Sequence, residues 1–515
     1  VWRLWLACTG ETDPRPPGDA SGTSTAETGA PGEAWSATPT WVPNAGGARL
    51  VGFVEAEVPS PRALEVTVDD GVSARTFASP PARTHRVRVL GLRPDAAHTV
   101  TVRAEGLPDA ALSVVTEPLP PDLPAPSVTV HDRAAMEPGV TLLVMADWMV
   151  MYDADGVPVW LRRAPSEDVH QVGPTPRGTL LLQADRTFIA EMALTGEIVR
   201  SWRAARRTGE PAHAVAVDAL ALHHDVVELP DGNLLGLSIE RRTVPAYPTS
   251  EDRPRPFAPA DVAGDVVIEF RPDGAVVHEW SFLDRLEPGR IGYDAVEGDF
   301  WHGFFGGDEV RDWSHANAIA YDPDRNEIVV SLRHQDAVVA LDRDTGEVRW
   351  IVAPDAHWPP PLAQRLLRPA RPDLLQPYHQ HAARIGPGGH LLLFDNGNGR
   401  ASALAPRLPD DENWSRGAEL ALDHAAGTWD LVWEWGPQLA PPRFSGSLGD
   451  TDALPLTGNR LVTFGNVKDP SLPGVSVFET TGGADPRPVW ALEFPQGDGL
   501  GTFRAERLTG VIPGR

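Results

Sequence analysis

Cysteine, lysine and long apolar runs are nearly missing from these 515 residues. The one cysteine, Cys8, allows no intrachain disulfide, and no Cys-x-x-Cys pair exists to hold zinc. The one lysine, Lys468, follows no Gly-rich phosphate cradle, which argues against a nucleotide donor. The 45 basic side chains are therefore nearly all arginine, a coding bias that makes any single Arg weaker evidence for a site. No stretch is apolar and long enough to cross a bilayer as a helix. An excess of positive charge is also lacking. With 71 acidic residues the chain carries a formal charge of -26, which excludes nucleic acid and anionic membrane surfaces as natural partners. Neither a His-Glu-x-x-His pair nor a carboxylate-rich cluster is present, so no metal is expected, and a three-histidine site is the remaining metal option.

What is present is turn chemistry. Gly 48 and Pro 52, with little helical periodicity, point to an all-β chain of many short strands. Its length suggests a small domain followed by a large one. At the start, Leu4-Trp5-Leu6-Ala7-Cys8 has the form of a lipoprotein-type signal tail, in which a small residue precedes an acylated cysteine. Residues 1–8 are thus read as a partial signal of an exported, periplasmic or membrane-anchored protein, with Cys8 as its lipid anchor. Residues 9–41 are rich in Gly, Pro, Ser, Thr and Ala and read as a disordered tether.

Residues 42–117 hold four expected strands, at 49–55, 63–68, 85–90 and 98–104. Here Val89-Leu90-Gly91-Leu92-Arg93-Pro94 and His98-Thr99-Val100-Thr101-Val102 resemble a fibronectin type III domain, with His98 where that family usually has tyrosine. The resemblance implies a small β-sandwich serving as spacer or packing partner. Residues 118–126, PLPPDLPAP, form a stiff linker.

Residues 127–515 repeat. A turn glycine is followed four to seven residues later by tryptophan at Gly156/Trp160, Gly196/Trp202, Gly274/Trp280, Gly346/Trp350, Gly427/Trp433 and Gly483/Trp490. A second tight turn opens an apolar strand near Gly178, Gly232, Asn326, Gly389 and Gly458. Two hairpins per unit make a four-stranded sheet, and six sheets make a six-bladed β-propeller. The C-terminal residues from Phe503 to Ile512 are expected to add a closing strand to an early blade; stacked sandwiches are the rival fold.

Histidines fall in register with this repeat. His170, His224 and His381 each precede a turn glycine by eight residues, and His315 stands about one strand ahead of the 324–326 turn. Asp450 holds the matching place before Gly458. In a propeller these positions begin the innermost strands, so four histidines would converge on one channel.

The motifs Trp313-Ser314-His315-Ala316-Asn317-Ala318, Val330-Ser331-Leu332-Arg333-His334-Gln335, Gln380-His381 with Phe394-Asp395-Asn396-Gly397, and His223-His224-Asp225 resemble bacterial arylsulfate sulfotransferases. That resemblance implies sulfuryl transfer from an aryl sulfate to a phenol through a sulfated histidine, with no cofactor. Carried over by motif, His381 is the nucleophile. His315, Asn317 and Arg333 hold the sulfate, and His224 is a further active-site histidine, with His223 beside it as a substrate-binding candidate and either of the two able to face the channel. Ser445 and Ser447 are the nearest counterparts of the family's last-blade hydroxyl. The cysteine pair of family members has no counterpart. The chemistry suits the residues: neutral imidazole is a competent nucleophile, and fixed donors can stabilise charge on the sulfuryl oxygens and the departing phenolate. Protonated His224 or His315 is expected to serve as general acid. His379 is read as a rim residue, and Asp395 and Asn396 as fixing a turn. The implied partners are small phenolic donors and acceptors, and nothing in the sequence signals an oligomeric state. The competing readings are a metal-dependent propeller hydrolase or lactonase, and a non-catalytic ligand-binding or scaffold propeller.

Overall fold

The computed structural model describes residues 33–166, 168–208, 213–497 and 500–514. Cys8, the signal-like residues and most of the expected tether lie outside the described residues. The chain is all-β: one five-stranded sheet near the N-terminus and, among the described residues, six further sheets of four or five strands.

The N-terminal sheet is built on a long antiparallel hairpin, Gly52–Asp69 against Ala74–Val89. The strands expected separately at 49–55 and 63–68 are the two halves of one strand, whose register shifts between Glu57 and Leu64. Pairing also begins earlier than expected. Ala37–Pro43, partly inside the stretch read as tether, pairs with the same strand. The reason is local: the Trp41 indole lies where a side chain at Gly52 would stand, so the glycine seats the ring. His98 takes over a corner hydrogen bond, its Nε2 accepting the Arg93 N–H at 3.1 Å. The sheet is fastened to the rest by Ala48 N–H to Thr195 O (3.1 Å) and Arg49 N–H to Leu161 O (2.8 Å). Its apolar face merges with the core beneath Val140–Met145 and Trp148–Tyr152.

The six sheets follow one another in sequence. Their first strands are Ala505–Leu508, Val169–Pro174, His223–Glu228, Ala316–Asp322, His381–Ile385 and Asp450–Ala453, and from Val169–Pro174 to Asp450–Ala453 neighbouring sheets touch along these strands. Both ends of the chain interlock. Ala505–Leu508 pairs antiparallel with Val140–Met145, and Ser127–His131 pairs with Pro488–Phe494 of the last sheet. The Gly/Trp repeat explains the circumference. Each tryptophan is buried in the fourth strand of its sheet, counted from the first strands above, and most reach the turn of the next one. Trp160 donates to Leu194 O, Trp202 to Pro272 O, Trp433 to Thr481 O, and Trp490 to Ala154 O across the chain termini. Gly346 is a glycine because a Cβ there would lie 2.1 Å from the Trp280 ring of the preceding sheet. A buried indole thus contributes apolar area and finds its obligatory acceptor on a neighbour.

Candidate active site

The histidines sit where the first strands bulge. Pairing slips between His223 and Val226, between Ala316 and Ala318, and between His381 and Arg384. Left-handed φ values occur at the same places: His224 at 54°, His315 at 48° and Ala382 at 55°. Such bulges in non-glycine residues cost on the order of 1 kcal/mol each and re-aim side chains away from the sheet. Here they turn imidazoles from separate sheets toward one another. The His224 ring lies 4.9 Å from His170, stacked at 12°, and 5.1 Å from His315.

His381 is 2 % exposed, and its tautomer follows from its neighbours. Asn396 donates both N–H bonds of its amide to the carbonyls of Ser445 (2.7 Å) and Leu448 (2.8 Å), so its oxygen must face His381 Nδ1, at 2.7 Å. Nδ1 therefore carries the proton and Nε2 the lone pair. Nε2 has no hydrogen bond among the described residues. Burial and the Arg333 charge hold His381 well below the usual histidine range, which keeps it neutral.

Arg333, in the short turn after Glu327–Leu332, is fixed by Asp294 at 3.0 Å. Its NH1 also donates to His334 Nε2 at 2.6 Å. Burial pushes Asp294 up, but His379, Arg333 and His334 hold it far below the carboxylate range. His315 Nδ1 donates to Asp312 Oδ2 at 2.6 Å, and Nε2 has no hydrogen bond among the described residues. Burial raises the Asp312 carboxyl to about 6. Burial lowers His315 as well, reinforced by Arg333, and it lowers His224 together with the charges of His170, His223, His315 and His381. His224 and His315 thus do not hold a proton of their own readily, contrary to the expected general-acid role in its simplest form.

The remaining expected residues lie one step back. His223 is fully buried behind His224, the Nδ1 atoms 2.7 Å apart, so His224 is the one that faces the cluster. Asn317, fully buried, donates to the Gln380 carbonyl at 2.9 Å and supports the peptide leading into His381. The Ser445 hydroxyl donates to Ser447 O and accepts the Asn466 N–H, while Ser447 Oγ accepts from Asn466 Nδ2. Both serines shape the loop that holds Asn396. His379 is not a rim residue. It is 1 % exposed, its Nδ1 2.9 Å from Asp336, and that carboxylate outweighs burial to raise it. Asp395 does fix its loop, accepting from Tyr378 N–H, Arg400 and Arg416.

Several participants went unrecognised in the sequence. Phe503 packs on His170, His224 and His381, with centroids 5.5–6.0 Å away. Phe300 packs on His224 and His315 under the Arg186 guanidinium. A cavity of about 450 Å³ is lined by His170, Leu448, Gly501 and Phe503 among others. Another of about 410 Å³ is lined by Phe300, His315, Arg333 and the carboxylates around them. Phe503 was legible only as part of a closing strand, and Phe300 lies in a Gly-rich segment with no repeat to mark it.

Asp312, His315 and His334 bring potential metal-binding atoms within 4.8 Å of one another. The hydrogen bonds compete with that use. Arginine only donates, so His334 Nε2 accepts, and its Nδ1 proton goes to the Asp312 carbonyl at 2.6 Å. His334 has no free lone pair, and burial lowers it to about 3.

The first strands of separate sheets thus bring together His224, His315 and His381, each held below the ordinary histidine range, with the buried Arg333 among the charges that lower His315 and His381. Residues 127–481 match the family model "Arylsulfotransferase (ASST)", and the chain belongs to this family. Among curated proteins it resembles "Arylsulfate sulfotransferase AssT" of Escherichia coli O6:H1, 29% identical over 305 residues. That match covers 51% of this chain and 46% of the relative. The protein of the same description from Lelliottia amnigena is 30% identical over 212 residues, covering 34% and 35%. The chain thus spans less than half the length of either relative. Among solved structures it resembles the Pseudomonas aeruginosa periplasmic gluconolactonase PpgL (TM-score 0.35, 11% identity, 72% of this chain and 99% of that one). It also resembles the Cps50 (Swd1) β-propeller domain of Myceliophteria thermophila (TM-score 0.34, 10% identity, 71% and 86%).

Proposed function

We propose that this protein transfers a sulfuryl group from an aryl sulfate to a phenolic acceptor, without a nucleotide donor, in two steps through N-sulfated His381. The observation that carries the reading is the His381 imidazole: neutral, its Nδ1 proton pinned by Asn396, its Nε2 lone pair uncommitted. In the first step Nε2 attacks sulfur in line with the aryl oxygen, which leaves as phenol. In the second the acceptor oxygen attacks the same sulfur and Nε2 leaves. Arg333 and the N–H groups around it offset charge on the sulfuryl oxygens, a contribution of about 10²–10³ in rate when one such donor is removed. Phe503 and Phe300 supply aromatic walls for the aryl group.

In this reading the six sheets are the blades of a six-bladed β-propeller, and the N-terminal sheet is a fibronectin type III-like packing partner. Export, with Cys8 as lipid anchor, rests on the sequence pattern alone. Incubation with an aryl sulfate, with and without added phenol, tests the activity. Phenol release that requires an acceptor supports transfer, and equal release without one points to a hydrolase.

A further inference from the structure

We propose that His223 and Asp265 form a proton relay behind His224, so that a proton exchanged with substrate oxygen at His224 leaves its charge on His223. The inference rests on the sulfuryl-transfer reading and assigns positioning roles to two residues that do not touch substrate.

The hydrogen bonds define the relay. His223 Nε2 lies 3.2 Å from the Ser238 carbonyl and 3.2 Å from Asp265 Oδ1, two acceptors that keep a proton on that nitrogen. The Nδ1 atoms of His223 and His224 are 2.7 Å apart, a separation that one shared proton satisfies. When the proton is on His224, its Nε2 carries the lone pair. When it is on His223, His224 Nε2 presents an N–H. Asp265 is wholly buried in Phe257–Phe270. Its Oδ2 accepts from Ser314 Oγ (2.5 Å) and Ala316 N–H (2.7 Å), while Oδ1, with no other donor among the described residues, faces His223 Nε2 at 3.2 Å. A buried carboxylate oxygen without a donor is costly unless a charge faces it, and an imidazolium at His223 meets that need.

The surroundings separate the two rings. His224 faces His170, His223, His315 and His381, all of which oppose charge on it, and the rings of Phe300 and Phe503. His223 faces Asp265, His224, the Ser238 carbonyl and the Trp301 ring, with the Asp312 carboxyl close enough to feel its charge. Burial pushes Asp265 up, but His223, Ser314 and Ala316 more than offset it and keep it ionised. This resolves how a histidine that resists protonation can serve as acid and base.

The step balances. In the donor half-reaction the sulfur–oxygen bond breaks as the bond from His381 Nε2 to sulfur forms. The departing aryl oxygen takes the Nε2 proton of His224, and the His223 Nδ1 proton passes to His224 Nδ1, leaving both rings neutral. In the acceptor half-reaction the phenol gives its proton to His224 Nε2 and the Nδ1 proton returns to His223. The bond to His381 breaks, its electron pair staying on Nε2. One proton has moved from acceptor to leaving phenol.

Single-turnover phenol release by Asp265→Asn, with two donors, tests the relay. Release from phenyl sulfate, a basic leaving group, should fall about 10²-fold. Release from 4-nitrophenyl sulfate, which departs without a proton, should fall less than about tenfold by the same reasoning. Equal losses with both donors, or none with either, would overturn the relay. Because Asp265 also holds the backbone beside His315, a second measurement uses the unaltered protein. Histidine 15N spectra should show a proton on His223 Nε2 and one proton shared by the two Nδ1 atoms, and a His223 Nε2 without a proton would overturn the proposal. Wild-type protein that releases phenol from neither donor would instead sink the sulfuryl-transfer reading.

Discussion

The same first strands build two groups of polar side chains, and the two treat charge in opposite ways. At the strand starts stand His224, His315 and His381. One to three residues further on, or on neighbouring first strands, stand Asp225, Arg384, Asp450 and Glu506, with Arg504 just ahead of the last strand. In this second group the charges are committed to one another. Arg504 donates to Gln171 Oε1 (2.8 Å) and Asp225 Oδ2 (2.8 Å), joining three sheets. Arg384 reaches Glu506 (2.7 Å), Asp452 (3.2 Å) and Asp450 (3.4 Å), joining three. In the histidine group each ring is anchored through Nδ1, while Nε2 of His381 and His315 has no hydrogen-bond partner among the described residues. The lesson is that burial and convergence alone do not mark the reactive group. In the proposed reading the uncommitted nitrogen of His381 does.

The largest contrast should come from His381→Ala, which removes that nitrogen. Turnover should vanish while the protein stays folded, its thermal unfolding midpoint lowered only by the lost contacts to Asn396 and Phe503. Retained turnover would erase the distinction between the groups. Arg504→Met should do the reverse. Breaking a buried ion pair on one side costs about 3–5 kcal/mol, read as a lowered denaturant midpoint. Wild-type stability with lost chemistry would show that the second group is functional and not merely structural.

Asn396→Ala sharpens the comparison from within. It removes the bond that orients His381 without touching substrate, so kcat should drop about 10²-fold, the scale of a misplaced reacting group, with a smaller change in KM. An unchanged kcat would mean the tautomer is set elsewhere.

The smallest effect concerns pH. His334, lowered by burial to about 3 from an ordinary 6.5, binds fewer protons folded than unfolded. Its contribution to stability is present above pH 6.5 and is lost as pH falls toward 3. Asp312, raised by burial to about 6, acts oppositely, stabilising the fold most below its ordinary 3.8 and less as pH rises to 6. His334→Gln should therefore soften acid destabilisation by about 2 kcal/mol between pH 6.5 and 5, seen in urea titrations at the two pH values. An unchanged acid slope would show that His334 is charged in the fold.

Much of this was legible in the sequence because repetition is. The Gly/Trp and turn signals recur at each sheet, and the tryptophans proved to be the contacts between sheets, so period and packing share one cause. The histidines were legible for the same reason, since equal offsets from turn glycines place them at equivalent strand starts. Residues without a repeat were not. Asp265 lies mid-strand with no motif, and Asn396 looked like a turn former because Asp-Asn-Gly is one. The long hairpin near the N-terminus was split in two because Pro59 and Pro61 fall where its register shifts. His379 was misplaced outward because its partner Asp336 is distant in sequence.

Donor trapping tests the central claim most directly. Protein mixed with an aryl sulfate and no acceptor, then digested and analysed by mass spectrometry, should carry one sulfuryl group on a peptide containing Gln380-His381. That label should be labile to acid, stable to base, and discharged by added phenol. A label on another residue, or none although phenol is released, would contradict the account.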